Sequence, residues 1–313
     1  MDHSSQQQQP GYLDWFIYVL TPLFFSSNII FGRGLAGESA PFTTAFLRWL
    51  GAAILVAPFL YADRRAAIGF VRSQPALWLW LGILGMGICG GVVYWALIYT
   101  TATNATLIYT TSPLFILVLQ WLRHGRAIAA REFLGMALAF AGVGVIVFKG
   151  QIAALASFEF NFGDLGILVA AIAFAIYSLA LRGPAPSQLK PMTVFGILAV
   201  SGAVVLVPPA TYEIYSGAPL PDAPDDWVML AGMVVFASLA AFYCYHHTVH
   251  ALGATLAGTT LYLMPPMSII LAVLFLDETI EFYHVGGVVL VMGGLLLATA
   301  PKNDRRRTAQ GKQ

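Results

Sequence analysis

Several polar side chains of this 313-residue chain lie inside long apolar runs, where each demands an explanation. Arg48, in Phe46-Leu47-Arg48-Trp49, falls about 10 Å inside its run at helical rise. Inserting such a charge into hydrocarbon costs roughly 2.5–3.5 kcal/mol, so Arg48 must face protein or a wet cavity. It can attract a substrate carboxylate there, or clamp backbone carbonyls. Further along are Tyr94, Trp95 and Tyr99, then Tyr243, His246, His247 and His250. Histidine titrates near neutral pH, so a proton-coupling or substrate-contact role for His246 or His247 stands beside plain helix–helix hydrogen bonding. His246 and His250 share a helix face at a metal-ligand spacing, but no acidic partner or third ligand is near in sequence, and no metal site is expected.

Threonines and tyrosines form stripes. Thr103, Thr106 and Thr110 lie on one helix face, as do Thr255, Thr259 and Tyr262, since residues three or four apart are neighbours. Tyr109 sits one turn before Pro113. Asn28 and the Tyr177-Ser178 pair add polar groups elsewhere, while Cys89 and Cys244 read as small core residues. Proline within a spanning helix removes one backbone hydrogen bond and frees a carbonyl for a neighbour, water or ligand. Pro113 and Pro265-Pro266 do this in corresponding places, and Pro22 bends an earlier helix; each is a candidate hinge or gate. The candidate substrate contacts are Asn28, Arg48, Tyr94, Trp95, Tyr99, Thr106, Tyr109, Thr110, Tyr177, Ser178, Tyr243, His246, His247, Thr259 and Tyr262. No Asp or Glu falls at mid-membrane depth, so a carboxylate proton relay is not expected. Neither a nucleophile–base pair nor a nucleotide-binding Gly-rich Lys motif is recognisable; enzyme activity and a cofactor are not expected.

The elements that must position these groups follow from composition. The chain is 58 % hydrophobic and 10 % charged, against about 25 % charged in soluble domains, and its net charge of +1 argues against a nucleic-acid partner. Apolar runs long enough to span a bilayer begin near Leu13, Pro41, Ala76, Ala102, Phe133, Gly163, Pro191, Asp226, Ala254 and Tyr283. The longest polar connection, Pro208–Asp225, reads as an exposed loop. The polar start, residues 1–12, has no basic residue and does not resemble a cleaved signal peptide. With that start inside, thirteen of the 16 basic residues fall on the inner side, including a basic tail at 301–313. Arg33 and Lys149 fall outside, and Arg48 within a helix. Both termini are therefore expected in the cytoplasm.

The chain repeats itself. A shift of 152 residues places Thr103 on Thr255, Ala105 on Ala257, Pro113 on Pro265, Gly135 on Gly287 and Gly142 on Gly294. Tyr94 and Trp95 then fall on His246 and His247. A shift of about 150 pairs Pro41 with Pro191 and Pro58 with Pro208. The organisation expected is a first five-helix repeat at 13–150, a linker at 151–162 and a second repeat at 163–300. Five is odd, so the halves are inverted, a recurrent plan of secondary transporters.

The stretches Ala96–Val147 and Thr248–Leu297 resemble the paired halves of the drug/metabolite transporter superfamily, in its EamA-type branch. The likeness rests on Ala102-Thr103-Asn104-Ala105, Ser112-Pro113, Gly135 and Ala141-Gly142-Val143. In the second half it rests on Ala254-Thr255-Leu256-Ala257, Met264-Pro265, Leu276-Asp277-Glu278-Thr279, Gly287 and Gly293-Gly294. Arg48 resembles the arginine this family often carries early in its second helix. Gly125-Arg126 departs from the usual Gly-Glu, and Pro266 adds a second proline. The resemblance implies a ten-helix, multi-pass transporter of the cytoplasmic membrane, exporting or exchanging small metabolites without ATP. Amino acids or related compounds are the leading cargo. A lipid-linked or nucleotide-sugar cargo is the alternative, and calls for more cavity cations than Arg48 alone. The expected partners are a small-molecule substrate and the bilayer; a monomer is plausible.

Overall fold

The computed structural model describes residues 11–124, 129–150, 161–252, 257 and 260–299. Thr259, Thr255, Arg126, most of the 151–162 linker and the basic tail lie outside the described residues. Nine described helices are long and apolar enough to span a bilayer, and a shorter tenth, Met264–Leu276, completes the set. We label them α1 (Tyr12–Gly34), α2 (Pro41–Ala62), α3 (Arg64–Ser73), α4 (Pro75–Ala96), α5 (Ala102–Tyr109), α6 (Ser112–His124), α7 (Ala130–Val147), α8 (Phe162–Leu181), α9 (Pro191–Tyr215), α10 (Pro224–Val249), α11 (Met264–Leu276) and α12 (Phe282–Thr299). The pair α5 and α6 is the fourth span. α3 is a short amphipathic helix with Ala67 and Phe70 buried. The end at which α1 begins and α12 finishes is called the terminal face, the other the distal face. Large apolar side chains such as Phe16, Phe59, Trp80, Phe133 and Phe275 are exposed, the outward surface of an all-α membrane protein.

Local chemistry sets the helix starts. Proline occupies the first position of α2, α4, α9 and α10, where its missing N–H costs nothing. The third residues of α1, α7 and α10 are Asp14, Glu132 and Asp226, whose carboxylates accept from the backbone N–H of Gly11, Ala129 and Ala223. Such charges also complement the positive helix end.

One expected loop is largely helix. α9 runs through Pro208 and Pro209 to Tyr215, leaving only residues 216–223 as the exposed turn. Its last turn is anchored by Glu213, whose two oxygens accept from Phe42 N (3.1 Å), Thr43 N (2.7 Å) and Thr43 Oγ1 (2.9 Å) at the start of α2. At the other end of the same pair Asp63 accepts from Thr193 Oγ1 (2.6 Å) and meets Lys190 Nζ at 3.4 Å. The Thr193 hydroxyl first, then Lys190, hold the Asp63 carboxyl below its usual range against the opposing pull of desolvation. α2 and α9 therefore run antiparallel, and each starts beside a carboxylate at the other's end.

α7 and α12 form a second antiparallel seam, closer than side chains would permit. A Cβ on Gly135 would lie 2.6 Å from the Gly294 carbonyl, and one on Gly294 would lie 2.5 Å from the Gly135 carbonyl. Gly142 meets Val291, and Gly287 meets Ile146. Across the halves, α1 packs on α10 and α11, while α8 packs on α4, α5 and α6.

Four spans are interrupted. α4 is π-helical over Ile83–Val92 and α10 over Met233–Ala240, a distortion common at functional sites. The fourth span breaks at Thr110-Thr111, where the backbone tightens to Thr111 N→Ile108 O and Leu114 N→Thr111 O before Pro113. The ninth opens with a 3₁₀ turn, Thr260–Leu263, just before Pro265. Pro22 is buried within a continuous α1.

Adjacent glycines of α12 test the seam. Gly294→Ala should lower the melting temperature of purified protein markedly, because its Cβ meets backbone. Gly293→Ala faces open space and should hold or raise the melting temperature, since alanine favours helix by about 1 kcal/mol.

Candidate functional site

Arg48 is buried in the first half of α2 and is held directly by two other helices. Its Nη1 donates to Tyr94 Oη of α4 at 2.8 Å, and its Nε to Ser238 Oγ of α10 at 2.9 Å. Nη2 reaches the Ala237 carbonyl at 3.4 Å. Tyr94 Oη in turn donates to Asn28 Oδ1 of α1 at 2.7 Å. Ser238 Oγ donates to the Met233 carbonyl, within the π-helical stretch. Gly32 makes the Tyr94 position possible, since a Cβ there would lie 2.8 Å from the tyrosine ring. The guanidinium also lies 4.6 Å from the Trp49 ring centroid. No ion pair to Arg48 exists among the described residues.

Near this network three aromatic rings cluster. Tyr109 and Tyr177 are each partly buried. Phe174 stands between them, with ring centroids 5.6 and 6.0 Å away. The partly accessible Cys89 thiol lies beside the Tyr109 hydroxyl and donates to the Ala170 carbonyl. The Tyr177 ring is half-buried. Gly85 allows this ring in: a Cβ would sit 2.6 Å from it.

The two faces differ in how the fourth span is held. At the distal face Glu278 accepts from Ala102 N (2.7 Å), Thr103 N (3.1 Å) and Thr103 Oγ1 (2.8 Å), fixing the start of α5. His284 Nδ1 accepts from Glu281 N, which leaves Nε2–H to donate to Asn104 Oδ1 at 3.2 Å. Thr100 donates to Asp164, and Arg33 Nη1 donates to the Leu97 carbonyl at 2.5 Å. Every residue from Ala102 to Ile108 is buried. Beyond Pro113 most residues to Leu122 are partly or fully exposed, while Leu114, Leu117 and Val118 pack against Met136 and Leu295. At the terminal face His247 Nε2 meets Asp14 Oδ1 at 2.8 Å. A cavity of about 430 Å³ opens there, lined by Lys190, Pro191, Met192, Phe242, Tyr243, His246 and His247.

Of the sequence-derived candidates, Asn28, Arg48, Tyr94, Tyr109 and Tyr177 are brought together. His246, His247 and Tyr243 gather instead at the terminal cavity, where Phe242 stacks on Phe195 at 4.4 Å and touches His246 at 4.6 Å. Thr106 is buried in a bond to Ser268 of α11 (2.6 Å), and Thr110 bonds its own helix at Thr106 O. Tyr262 bonds Thr299 of α12 at 2.6 Å. Trp95 packs edge-on to Tyr99, which is itself exposed at the distal end; Ser178 is half-buried on α8. Ser238, Glu213, Asp14 and His284 took up their partners unannounced, because pairs some 170 to 240 residues apart leave no local pattern.

Tyr94→Phe tests the network. It strips Arg48 of one acceptor and leaves the Asn28 carbonyl short of a donor, a loss of roughly 1–3 kcal/mol for buried groups. Denaturant or thermal unfolding of purified protein should register it. Tyr99→Phe, at an exposed site, should change stability little.

Known proteins place this architecture. The model of the EamA-like transporter family matches twice, over residues 14–148 and 161–300. An uncharacterized transporter of Archaeoglobus fulgidus is 28 % identical, covering 92 % of this chain and 98 % of its own. The uncharacterized transporter YetK of Bacillus subtilis is 22 % identical over 89 % of this chain and 84 % of its own. A probable terminal-alkyne amino-acid exporter of Streptantibioticus cattleyicolor is 24 % identical over 89 % and 88 %. A solved crystal structure shares the fold with a TM-score of 0.60 at 17 % identity, covering 92 % of this chain and 97 % of that one. With both halves matched, and the ten-helix membrane bundle they describe on the page, the chain belongs to the EamA-like transporter family.

Proposed function

We propose that the protein is a secondary transporter that exports or exchanges small metabolites, amino acids or related compounds, across the cytoplasmic membrane. It works by alternating access between two inverted five-helix repeats, 13–150 and 163–300, with both termini in the cytoplasm. No chemical step on the cargo is involved.

The observation that carries this reading is the reciprocity of contacts. Exchange the halves by the 150–152-residue shift, and Thr43–Glu213 becomes Thr193–Asp63, while Gly135–Gly294 becomes Gly287–Gly142. The π-helical stretches exchange likewise, as do the breaks before Pro113 and Pro265. If each half can adopt the other's conformation, a second state of similar energy exists, open on the opposite face. The Glu278 contacts at the distal face and the cavity at the terminal face support reading this conformation as the terminal-side-open member of that pair. The amino-acid class draws on the aromatic cluster and on the named relative from Streptantibioticus cattleyicolor.

Reconstituted vesicles test it. Labelled amino acids, screened with and without a pH gradient, should show saturable flux and counterflow with at least one cargo. If none moves and none stabilises the purified protein, the amino-acid reading fails. His247→Gln should alter the pH profile of that flux if the Asp14–His247 pair carries protons; an unchanged profile removes it from any proton path.

Access has its own measurement. In a Cys244→Ala background, native Cys89 should react with an impermeant organomercurial from the terminal side and poorly from the distal side. Glu278→Gln loosens the distal latch and should raise distal reaction several-fold. Equal reaction from both sides in the unmodified background would sink alternating access in this form.

A further inference from the structure

Resting on the transport reading, we propose that Arg48 and Trp49 form the subsite for a cargo carboxylate, so that the cargo is a small monocarboxylate with an apolar or aromatic body. Four charged side chains are buried among the described residues, and Arg48 is the only cation. The three acids, Glu132, Asp164 and Asp226, are each the third residue of a helix, close to a face. The middle of the bundle therefore holds one positive charge with neutral neighbours: a hydroxyl, a phenol and a carbonyl. A guanidinium carries five N–H groups, and these bonds use three.

The second observation is independent of charge. Trp49 is 7 % exposed, and its Nε1–H is buried with no hydrogen-bond partner among the described residues. An unpaired buried donor is costly and rare, so it signals an acceptor missing from the structure. This donor belongs to the ring against which the Arg48 guanidinium lies. It lies beside Gly90 of α4, where an added Cβ would be in van der Waals contact with Nε1 at 3.4 Å. Surplus donors and an unneutralised cation call for an anionic acceptor, and a planar carboxylate matches a guanidinium's fork.

The surroundings define the rest of the cargo. Tyr109, Phe174 and Tyr177 offer ring faces to an apolar body. Any ammonium the cargo carries finds those faces rather than a protein carboxylate. A diphosphate would need several cations where one stands.

Thermal melting of the purified full chain in detergent, needing no flux, tests the subsite. The probes are 3-phenylpropionate, its amide, L-phenylalanine, L-phenylalanine amide, phenethylamine and inorganic phosphate. Both acids should raise the melting temperature in a saturable way. The amides, the amine and phosphate should do little. Trp49→Phe removes the unpaired N–H together with part of the buried indole, so the ligand-free protein should melt somewhat lower but remain folded, while the affinity for both acids falls about tenfold. Arg48→Lys should weaken the acids further, and if Arg48 variants do not fold, Trp49→Phe alone decides. Stabilisation by acid and amide alike, no stabilisation by either acid, or unchanged acid affinity in Trp49→Phe would each overturn the subsite. Flux of amino acids in vesicles without acid-over-amide discrimination leaves transport standing and removes the subsite. Discrimination without flux does the reverse.

Discussion

A guanidinium in the apolar middle of a helical bundle has to be solvated by protein, and that requirement organises four spans here. Arg48 cannot find water at its depth, so α10 turns Ser238 and the Ala237 carbonyl toward it and α4 supplies the Tyr94 hydroxyl. The π-helical stretch of α10 is where those groups are presented, as expected where a helix must re-aim its polar atoms. Tyr94 then needs its own acceptor, which α1 provides through Asn28, and Gly32 clears room for the ring. One charge thus ties α1, α2 and α4 of the first half to α10 of the second. That the same charge has no carboxylate partner among the described residues is the basis for proposing that it binds as well as braces.

A second constraint acts at the membrane faces, where helix N-termini expose unpaired N–H groups. Glu213 and Glu278 answer it in the same way, each accepting two backbone N–H groups and a threonine hydroxyl from a helix of the other half. A capping carboxylate shared between halves couples helix stability to the closure of that face. Opening the face exposes the N–H groups to water, which replaces much of what is lost. The free-energy difference between latched and open is therefore small, about 0.5–2 kcal/mol for a cap. Contacts of that size can switch.

Much of this was legible in the sequence because lipid imposes simple rules. Span starts expected near Pro41, Ala102 and Pro191 match the helices, since charge and proline punctuate apolar runs without ambiguity. Corresponding interruptions before Pro113 and Pro265 followed from proline chemistry. Arg48, Asn28, Tyr94, Tyr109 and Tyr177 were singled out as polar groups in apolar helices, and they converge. The loop over Pro208–Asp225 misled because two prolines look like a stop, whereas Glu213 has a partner 170 residues away that prolongs the helix. Tyr99 and Tyr243 have the same chemistry as Tyr94 but point outward, and a helix's rotation about its axis is set by neighbours the sequence does not name. Trp49 reads as an ordinary apolar residue until its N–H is found without an acceptor.

The contrast between seams and latches decides which parts move in the proposed cycle. Along α7 and α12 backbone lies against backbone through Gly135, Gly142, Gly287 and Gly294, and packed interfaces of this closeness resist gradual sliding. That pair behaves as one body. The fourth span instead changes character at Thr110-Thr111: buried and capped on the distal side, largely part-exposed on the terminal side, with a proline at the junction. Proline has already removed the hydrogen bond that would resist bending there. Tyr109 lies one turn before that proline and packs on Phe174 of α8, so in the proposed cycle a cargo body set against those rings would bear on the junction itself. In that reading binding and bending are coupled through a single aromatic side chain, without a relay across the fold.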